Sequence, residues 1–275
     1  VSDIKPAHKN TNYVIRKYSG KERAEGNFAE TWQGMTADSI LHAGEGYIWQ
    51  SSCYDDSGTK LSTSAFYVSA QNNVNKNLIF ASDDRTITLD EYQSEFSHNR
   101  SWNFIGNPYP SYYDTRFMDF TAPITVWNMY NDSYYAYSPV DDEFILRPGE
   151  AFFVQRPVDS GTITFNADGR QVNREVRDLF ASETKAQLFN PTLRQVFNLT
   201  LSDGEMTDRT RFVINPDAAC DYEMSSDANK FMSSDASVPQ LYTMEGKVQF
   251  AINERPMGDG VVMLGAYFGH KGIYT

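Results

Sequence analysis

The chain has few of the residues that build disulfide scaffolds or metal sites. Its 275 residues include two cysteines, Cys53 and Cys220, and four scattered histidines. Two cysteines form at most one disulfide, which excludes a disulfide-built scaffold and a zinc site made of cysteine alone. Free, buried thiols are favoured over a Cys53–Cys220 disulfide, and that pairing stays open. No cofactor and no metal site is expected.

Long apolar runs and basic clusters are also missing. No stretch of about 18 apolar residues occurs, so no membrane insertion is expected from this sequence. Asp and Glu outnumber Lys and Arg by 36 to 24, which gives a net charge of −12. An acidic chain is poorly attracted to phosphate backbones and to anionic lipid surfaces. Nucleic acid is therefore not an expected partner.

The common catalytic motifs are absent. The sequence contains no nucleophile elbow, P-loop, H-E-x-x-H, C-x-x-C or G-x-G-x-x-G pattern. Its acidic pairs consist of neighbouring residues, which point to opposite faces of a strand, so none is a glycosidase dyad by itself. We interpret these pairs, including Asp141-Asp142-Glu143, as solvated loops. A calcium loop beginning at Asn166 is a weaker alternative, because later acidic ligands are missing. No catalytic residue is predicted.

Aromatic residues are abundant. The chain has 18 Phe, 17 Tyr and 4 Trp, and aromatic residues favour pleated sheets. Short apolar or alternating runs lie between Gly, Pro, Asn and Asp clusters, as at residues 13–18, 102–106, 124–130 and 195–202. This spacing predicts an all-β protein of β-sandwich or jelly-roll-like units.

Two segments of the first part resemble each other. Residues 40–50 read ILHAGEGYIWQ, and residues 145–155 read ILRPGEAFFVQ. In each, a glycine suited to a costly backbone conformation precedes an aromatic strand. We therefore expect an internal duplication within a domain spanning residues 1–175. A chance similarity of two hairpins is the alternative.

A boundary follows the duplicated part. Val172, Val176, Leu179 and Phe180 would share one helical face, with charged residues between them. Residues 176–190 are accordingly predicted to be a linker or short helix. A separate β-sandwich domain is expected over residues 191–275. The start at Val1 and an end that reads like mid-strand suggest a processed form or a piece of a longer precursor.

One motif in the first part resembles a known family. Residues 101–111 read SWNFIGNPYPS, and this stretch resembles the W-N-[LF]-I-G-N-P-Y-P-S segment of large secreted surface proteins of Bacteroidetes. In those proteins a V-W-[ND] strand, a tyrosine-rich turn and a P-G-[EQ]-[AG]-F-F-V segment follow. Here the counterparts are residues 126–128, 134–137 and 148–154. The later L-S-D-G and D-R-T patterns, at residues 201–204 and 208–210, are similar as well.

This resemblance implies a β-rich, exported protein with an extracellular or cell-surface location, of the kind described as adhesin-like. It supplies no catalytic residues. The expected function is a non-enzymatic module for adhesion or for contact with a glycan or protein. Two alternatives remain open: a structural spacer of a larger surface protein, and an accessory module of a carbohydrate-active enzyme.

Four tyrosines are the candidate ligand-binding residues. Tyr112 and Tyr113 follow the Pro108–Pro110 turn, while Tyr134 and Tyr135 follow a predicted three-residue hairpin loop at Asn131–Ser133. Tyrosine offers an apolar face and a hydroxyl at small entropic cost, which suits sugar rings or protein surfaces. The negative net charge favours a neutral glycan or a host or cell-surface protein as partner. Packing of these rings in the core is the other interpretation.

Alternation also predicts core residues. Trp102, Phe104 and Gly106 should share one face of a strand, and Asn103 and Ile105 the other. Trp102, Phe104, Phe152 and Val154 are expected to be core residues.

Overall fold

The computed structural model describes residues 6–7, 13–36, 39–51, 67–68, 82–174, 194–258 and 260–275. These residues form an almost entirely β structure, which confirms the predicted fold class. The predicted linker at residues 176–190, and Cys53, lie outside the described residues. Within these ranges one short α-helix is present, α1 (Gly20–Ala24), and its N-terminus is capped by the Ser19 side chain.

The strands are short and follow one another closely. In the first part they are β1 (Pro6–Ala7), β2 (Tyr13–Tyr18), β3 (Trp32–Gly34), β4 (Tyr47–Ser51), β5 (Tyr67–Val68), β6 (Arg85–Thr88), β7 (Trp102–Gly106), β8 (Tyr112–Asp114), β9 (Met118–Asp119), β10 (Ile124–Asn128), β11 (Ser133–Tyr137), β12 (Ile145–Leu146), β13 (Ala151–Gln155), β14 (Thr162–Phe165) and β15 (Arg170–Gln171). In the second part they are β16 (Gln195–Ser202), β17 (Thr207–Ile214), β18 (Ala228–Asn229), β19 (Gln240–Glu245), β20 (Val248–Arg255) and β21 (Met263–Tyr267).

A four-stranded antiparallel sheet in the order β11-β10-β13-β7 lies at the centre of the first part. Phe152 of β13 pairs with Ile105, and Phe153 pairs with Phe104. Neighbouring residues of a strand point to opposite faces. Since Phe152 and Phe153 are both buried, both faces of this sheet are covered.

The first face of the central sheet carries the larger core. Phe152, Val154 and Ile105 pack there against residues of the surrounding short sheets. Those partners include Tyr109, Tyr113, Met118, Leu146, Ile163 and Phe165. The Tyr109 hydroxyl donates to the carbonyl of Phe165 at 2.8 Å, so this buried polar group is satisfied. The predicted burial of Phe152 and Val154 is confirmed.

The second face carries a layer of aromatic rings, which we call the aromatic layer. Its members are Tyr18, Trp32, Trp102, Phe104, Tyr134, Phe153 and Phe231. Phe153 is the centre, because its ring lies 4.4 to 6.4 Å from the ring of every other member. Most pairs are edge-to-face or tilted, the geometry that ring quadrupoles favour. Trp102 is buried as predicted, and Phe104 is half-buried against the layer.

The two similar segments occupy equivalent positions in two sheets. In the first, β2 lies between β3 and β4; in the second, β10 lies between β11 and β13. Gly44 and Gly149 both adopt left-handed backbone angles, with φ of +88° and +70°, just before the third strand of each set. This shared strand order agrees with the predicted duplication.

Both copies of the glycine turn contact the end of β7. The Gly106 amide donates to the Gly44 carbonyl at 3.1 Å, and the Asn107 amide donates to the Glu150 carbonyl at 2.9 Å. The WNFIGNP stretch therefore joins the two units through its backbone. A Cβ on Gly44 would lie 2.8 Å from the end of the Ile87 side chain, which would have to move, and the left-handed φ of Gly44 itself favours glycine.

The second part of the chain forms its own curled sheet, in the order β16-β17-β20-β19-β21 with β18 beside β20. No strand of this sheet pairs with a described strand of the first part. Side-chain contacts nevertheless join the two parts, because Phe231 belongs to the aromatic layer and the Tyr222 hydroxyl donates to Gln155 Oε1 at 2.5 Å. Arg23 also lies over the Trp102 and Phe231 rings, at 4.9 and 4.4 Å from their centroids.

Acidic residues of the first part meet arginines of the second. Arg211 contacts Asp142 through two hydrogen bonds of 2.6 and 3.0 Å, and Arg194 bridges Asp141 and Glu254. The side chains of Asp141 and Asp142 are only 15% and 14% exposed. The interpretation as a solvated loop is therefore wrong for Asp141 and Asp142, whereas the Glu143 side chain is 61% exposed as expected. Distant arginines neutralise the two aspartates, and a local sequence pattern does not show their approach.

Cys220 is a free, exposed thiol, so its predicted burial is wrong. Residues 166–169 form a short 3-10 turn in which the Asn166 side chain accepts from the Asp168 amide. Within the described residues, no group of three or more His, Cys, Asp and Glu is arranged to hold a metal ion. No helix in the same ranges has the length and apolar character needed to cross a membrane.

Removing the central ring of the aromatic layer should destabilise the whole molecule. Phe153→Ala deletes contacts on every side, and large-to-small changes of this kind cost about 3–5 kcal/mol. Urea unfolding should show this loss, while Phe96→Ala, at a ring that is 58% exposed, should leave the unfolding free energy nearly unchanged. Equal unfolding curves for Phe153→Ala and the unmodified chain would contradict the assignment.

A buried ion pair inside the second sheet gives another stability test. Lys230 and Asp208 are fully buried, with Nζ 2.7 and 2.6 Å from the two carboxylate oxygens. Lys230→Met should lower the free energy of unfolding by about 3–5 kcal/mol, because the buried Asp208 carboxylate would lose its cationic partner. The Asp208→Leu/Lys230→Met double variant removes both charges and should recover most of that loss. A double variant as unstable as the single one would show that the pair itself is the stabilising element.

Candidate functional site

The hairpin between β10 and β11 presents the tyrosine-rich segment. Strand β10 ends at Asn128, where the side-chain oxygen accepts the Tyr130 amide at 3.0 Å. The turn then passes through Asp132, whose φ of +44° is left-handed. Aspartate tolerates this conformation better than most residues. The predicted loop at Asn131–Ser133 is wrong at its end, because β11 begins at Ser133. The turn places residues 127–130 at one end of the central sheet.

Three large apolar side chains stand exposed at this end. The exposed fractions are 41% for Trp127, 60% for Met129 and 75% for Tyr130. Arg147 lies beside Met129 and Tyr130, with its guanidinium carbon 5.6 Å from the Tyr130 ring centroid and Nη1 3.2 Å from the Met129 sulfur. We call Trp127, Met129, Tyr130 and Arg147 the hairpin patch. It combines flat apolar surface with a cationic donor.

The patch borders a shallow cavity of about 100 Å³, lined also by Tyr135, Tyr137 and Glu150. Sites that enclose a small molecule usually have roughly 300 Å³ or more. Glu150 is the one carboxylate in the described lining, and its Oε2 accepts the Arg147 amide at 2.7 Å. A glycosidase site would need two facing carboxylates. The geometry suits recognition across a surface rather than an enclosed reaction.

Two of the predicted binding tyrosines lie under this hairpin. Tyr134 is half-buried in the aromatic layer, with its ring 4.8 Å from Trp127 and 5.5 Å from Phe231. The Tyr135 hydroxyl donates to the Thr207 carbonyl and accepts from Asn131 Nδ2 at 2.7 Å. Burial raises the pKa of both phenols, so they stay protonated at neutral pH. Both rings serve mainly to join the two parts of the molecule.

The other two predicted tyrosines lie elsewhere. Tyr113 is fully buried, stacked on Tyr109 at 5.6 Å and edge-on to Phe165 at 5.1 Å. The Tyr113 ring fills the core on the first face of the central sheet, so it is not accessible as the ligand contact that was predicted. Burial raises the pKa of its hydroxyl. Tyr112 is half-buried on β8. Tyr113 and Tyr134 occupy opposite faces of the sheet, so the four tyrosines do not form one surface.

Sequence reasoning missed the residues that the fold does expose. A strand was expected over residues 124–130; Trp127 does lie in β10, but Met129 and Tyr130 follow its end at Asn128. The signal was present in Asn128, which ends the strand by accepting the Tyr130 amide. Arg147 comes from the turn of the second repeat copy, and its position beside the hairpin depends on the pairing of β10 with β13.

Comparisons with protein-family models, with curated proteins and with solved structures gave no match.

Proposed function

We propose that this chain is a non-enzymatic module of an exported surface protein, which contacts a neutral glycan or a protein through the hairpin patch. The observation that carries the proposal is the exposure of Trp127, Met129 and Tyr130 on a hairpin whose remaining rings are packed. An exposed aromatic group on a rigid sheet loses little conformational freedom on binding. The extracellular or cell-surface location follows from the resemblance to secreted Bacteroidetes surface proteins.

The chemistry of the patch favours an uncharged ligand. Indole and phenol faces stack on the apolar faces of sugar rings, while Arg147 donates hydrogen bonds to hydroxyl groups at the rim. A net charge of −12 opposes the approach of acidic polymers. Single contacts of this kind are weak, and linked copies of such a module would gain by avidity.

A structural spacer remains the second candidate. The observation that favours it is the use of Tyr134, Tyr135, Asp141 and Asp142 to fasten the two parts together. A rigid body of this kind also suits a protein that holds other modules away from a cell. An accessory role beside a carbohydrate-active enzyme would use the same patch.

A glycan-array screen tests the proposal. The unmodified chain should bind a set of neutral glycans, and Trp127→Ala/Tyr130→Ala should weaken that binding at least about tenfold, or roughly 1.4 kcal/mol. Phe28→Ala is the matched control, since this ring is 56% exposed elsewhere and should have no effect. Circular dichroism checks that each variant is folded.

Two results would count against the glycan proposal. Binding that is unchanged in the double variant would move the contact to another surface. An array without any bound glycan, together with unchanged attachment of beads coated with the double variant to cells, would favour the spacer.

A further inference from the structure

Lys230 is the most deeply buried lysine among the residues that the structure describes. Its side chain and that of Asp208 are both 0% exposed, and Nζ lies 2.7 Å from Oδ1 and 2.6 Å from Oδ2. Because Nζ contacts both oxygens, the Cγ atom between them lies within about 3 Å of Nζ, which is the separation of reacting atoms in a near-attack geometry. The fold therefore holds an amine against a carboxyl carbon, away from water.

Burial favours the neutral forms of this pair. Moving two charges out of water is costly, and the transfer of one proton from the ammonium to the carboxylate removes both charges at once. Burial lowers the pKa of the Lys230 amine although the Asp208 carboxylate faces it, and the nearby Arg209 guanidinium acts in the same direction as burial. A desolvated lysine that reaches its neutral form is a good nucleophile.

A backbone donor is directed at the same carboxyl group. The Leu241 amide donates to Asp208 Oδ2 at 2.6 Å. Attack of an amine on a carboxyl carbon places negative charge on one of the two oxygens, and a fixed amide donor stabilises that charge. Oδ2 is the oxygen that this donor holds, and Oδ1 is the one that can leave. The site thus combines a nucleophile, an acyl carbon and a donor for the developing oxyanion.

We propose that Lys230 and Asp208 condense to a side-chain amide, which is an internal cross-link between β17 and the residue that follows β18. The Lys230 ammonium first passes one proton to Oδ1 of the Asp208 carboxylate. The neutral Nζ then attacks Cγ, so that a C–N bond forms and the Cγ–Oδ1 bond breaks. Oδ1 carries the transferred proton, takes one more from Nζ and leaves as water. The balance requires no other reactant.

The cross-link fastens together two elements that reach the first part of the chain. Asp208 precedes Arg209, whose guanidinium carbon lies 4.2 Å from the Tyr137 ring centroid, and Lys230 precedes Phe231 of the aromatic layer. Neighbouring residues of a strand point to opposite sides, so Arg209 points to the first part while Asp208 points away from it. A covalent bond between Asp208 and Lys230 therefore fixes the spacing of Arg209 and Phe231.

An exposed lysine ion pair in the same chain lacks these conditions. Lys17 Nζ and Glu45 Oε1 are 2.9 Å apart, but their side chains are 48% and 34% exposed. Water solvates both charges there, so nothing favours the neutral amine that the reaction needs. This pair is the internal control, because the same functional groups at a similar distance should not condense.

Mass spectrometry of the full chain in denaturant tests the proposal. The intact mass should be lower than the mass of the sequence by one water molecule. Trypsin should leave the bond after Lys230 uncleaved and release residues 195–209 joined to residues 212–247, while it cleaves normally after Lys17. A full intact mass together with free cleavage after Lys230 would overturn the proposal.

Lys230→Arg is the matched variant. It keeps a cation beside Asp208, but a guanidinium group does not lose its proton in proteins and is no nucleophile. The intact mass of this variant should equal the mass of its sequence. A loss of water that persists in Lys230→Arg would assign the reaction to another place and overturn the proposal. The mass of the unmodified chain decides the question even where the variant does not fold. Lys230→Met removes the ion pair and the amide alike, so mass rather than stability distinguishes them.

Discussion

The structure depends on one constraint: the central sheet must be covered on both faces. Phe152 and Phe153 are neighbours on one strand, so their rings point in opposite directions and no single layer can bury both. The short sheets of the first part cover Phe152. Phe153 requires the β3-β2-β4 sheet, and it also requires Phe231 from the second part of the chain. The aromatic layer is therefore the point where the duplicated units and the curled sheet meet.

Electrostatic contacts reinforce this arrangement. Two arginines of the second part, Arg194 and Arg211, form ion pairs with Asp141 and Asp142 of the first part. Arg209 donates to the Ala136 carbonyl at 2.7 Å and lies 4.2 Å from the Tyr137 ring centroid. Guanidinium groups suit such sites, because they pair with carboxylates through two bonds and also stack on rings. These contacts fix the direction of the second sheet relative to the β10–β11 hairpin, which in turn leaves the hairpin patch exposed.

Local patterns predicted the strands well and the burial of tyrosines poorly. Strands at Trp102–Gly106 and Gln195–Ser202 have the bounds that alternation indicated, since their pattern is a property of neighbouring residues. The predicted exposure of Tyr113 was wrong because the residue follows a proline turn, which suggests a loop. In the fold, Tyr109 and Phe165 enclose its ring. The predicted solvation of Asp141 and Asp142 was wrong for the same reason, since their arginine partners lie more than fifty residues away in the sequence.

The hairpin patch is exposed because the rings beneath it are already packed, so ligand binding there would not disturb the core. Such a surface suits weak contact that is repeated across linked copies of the module.

Differential scanning calorimetry of the whole chain tests the central claim most directly, namely that the aromatic layer makes the two parts one folding unit. A single transition is predicted, with calorimetric and van't Hoff enthalpies that agree. The reason is that unfolding of either part alone would expose Phe153 or Phe231 to water. Two separate transitions, or a calorimetric enthalpy well above the van't Hoff value, would show that the parts unfold independently and would contradict this account.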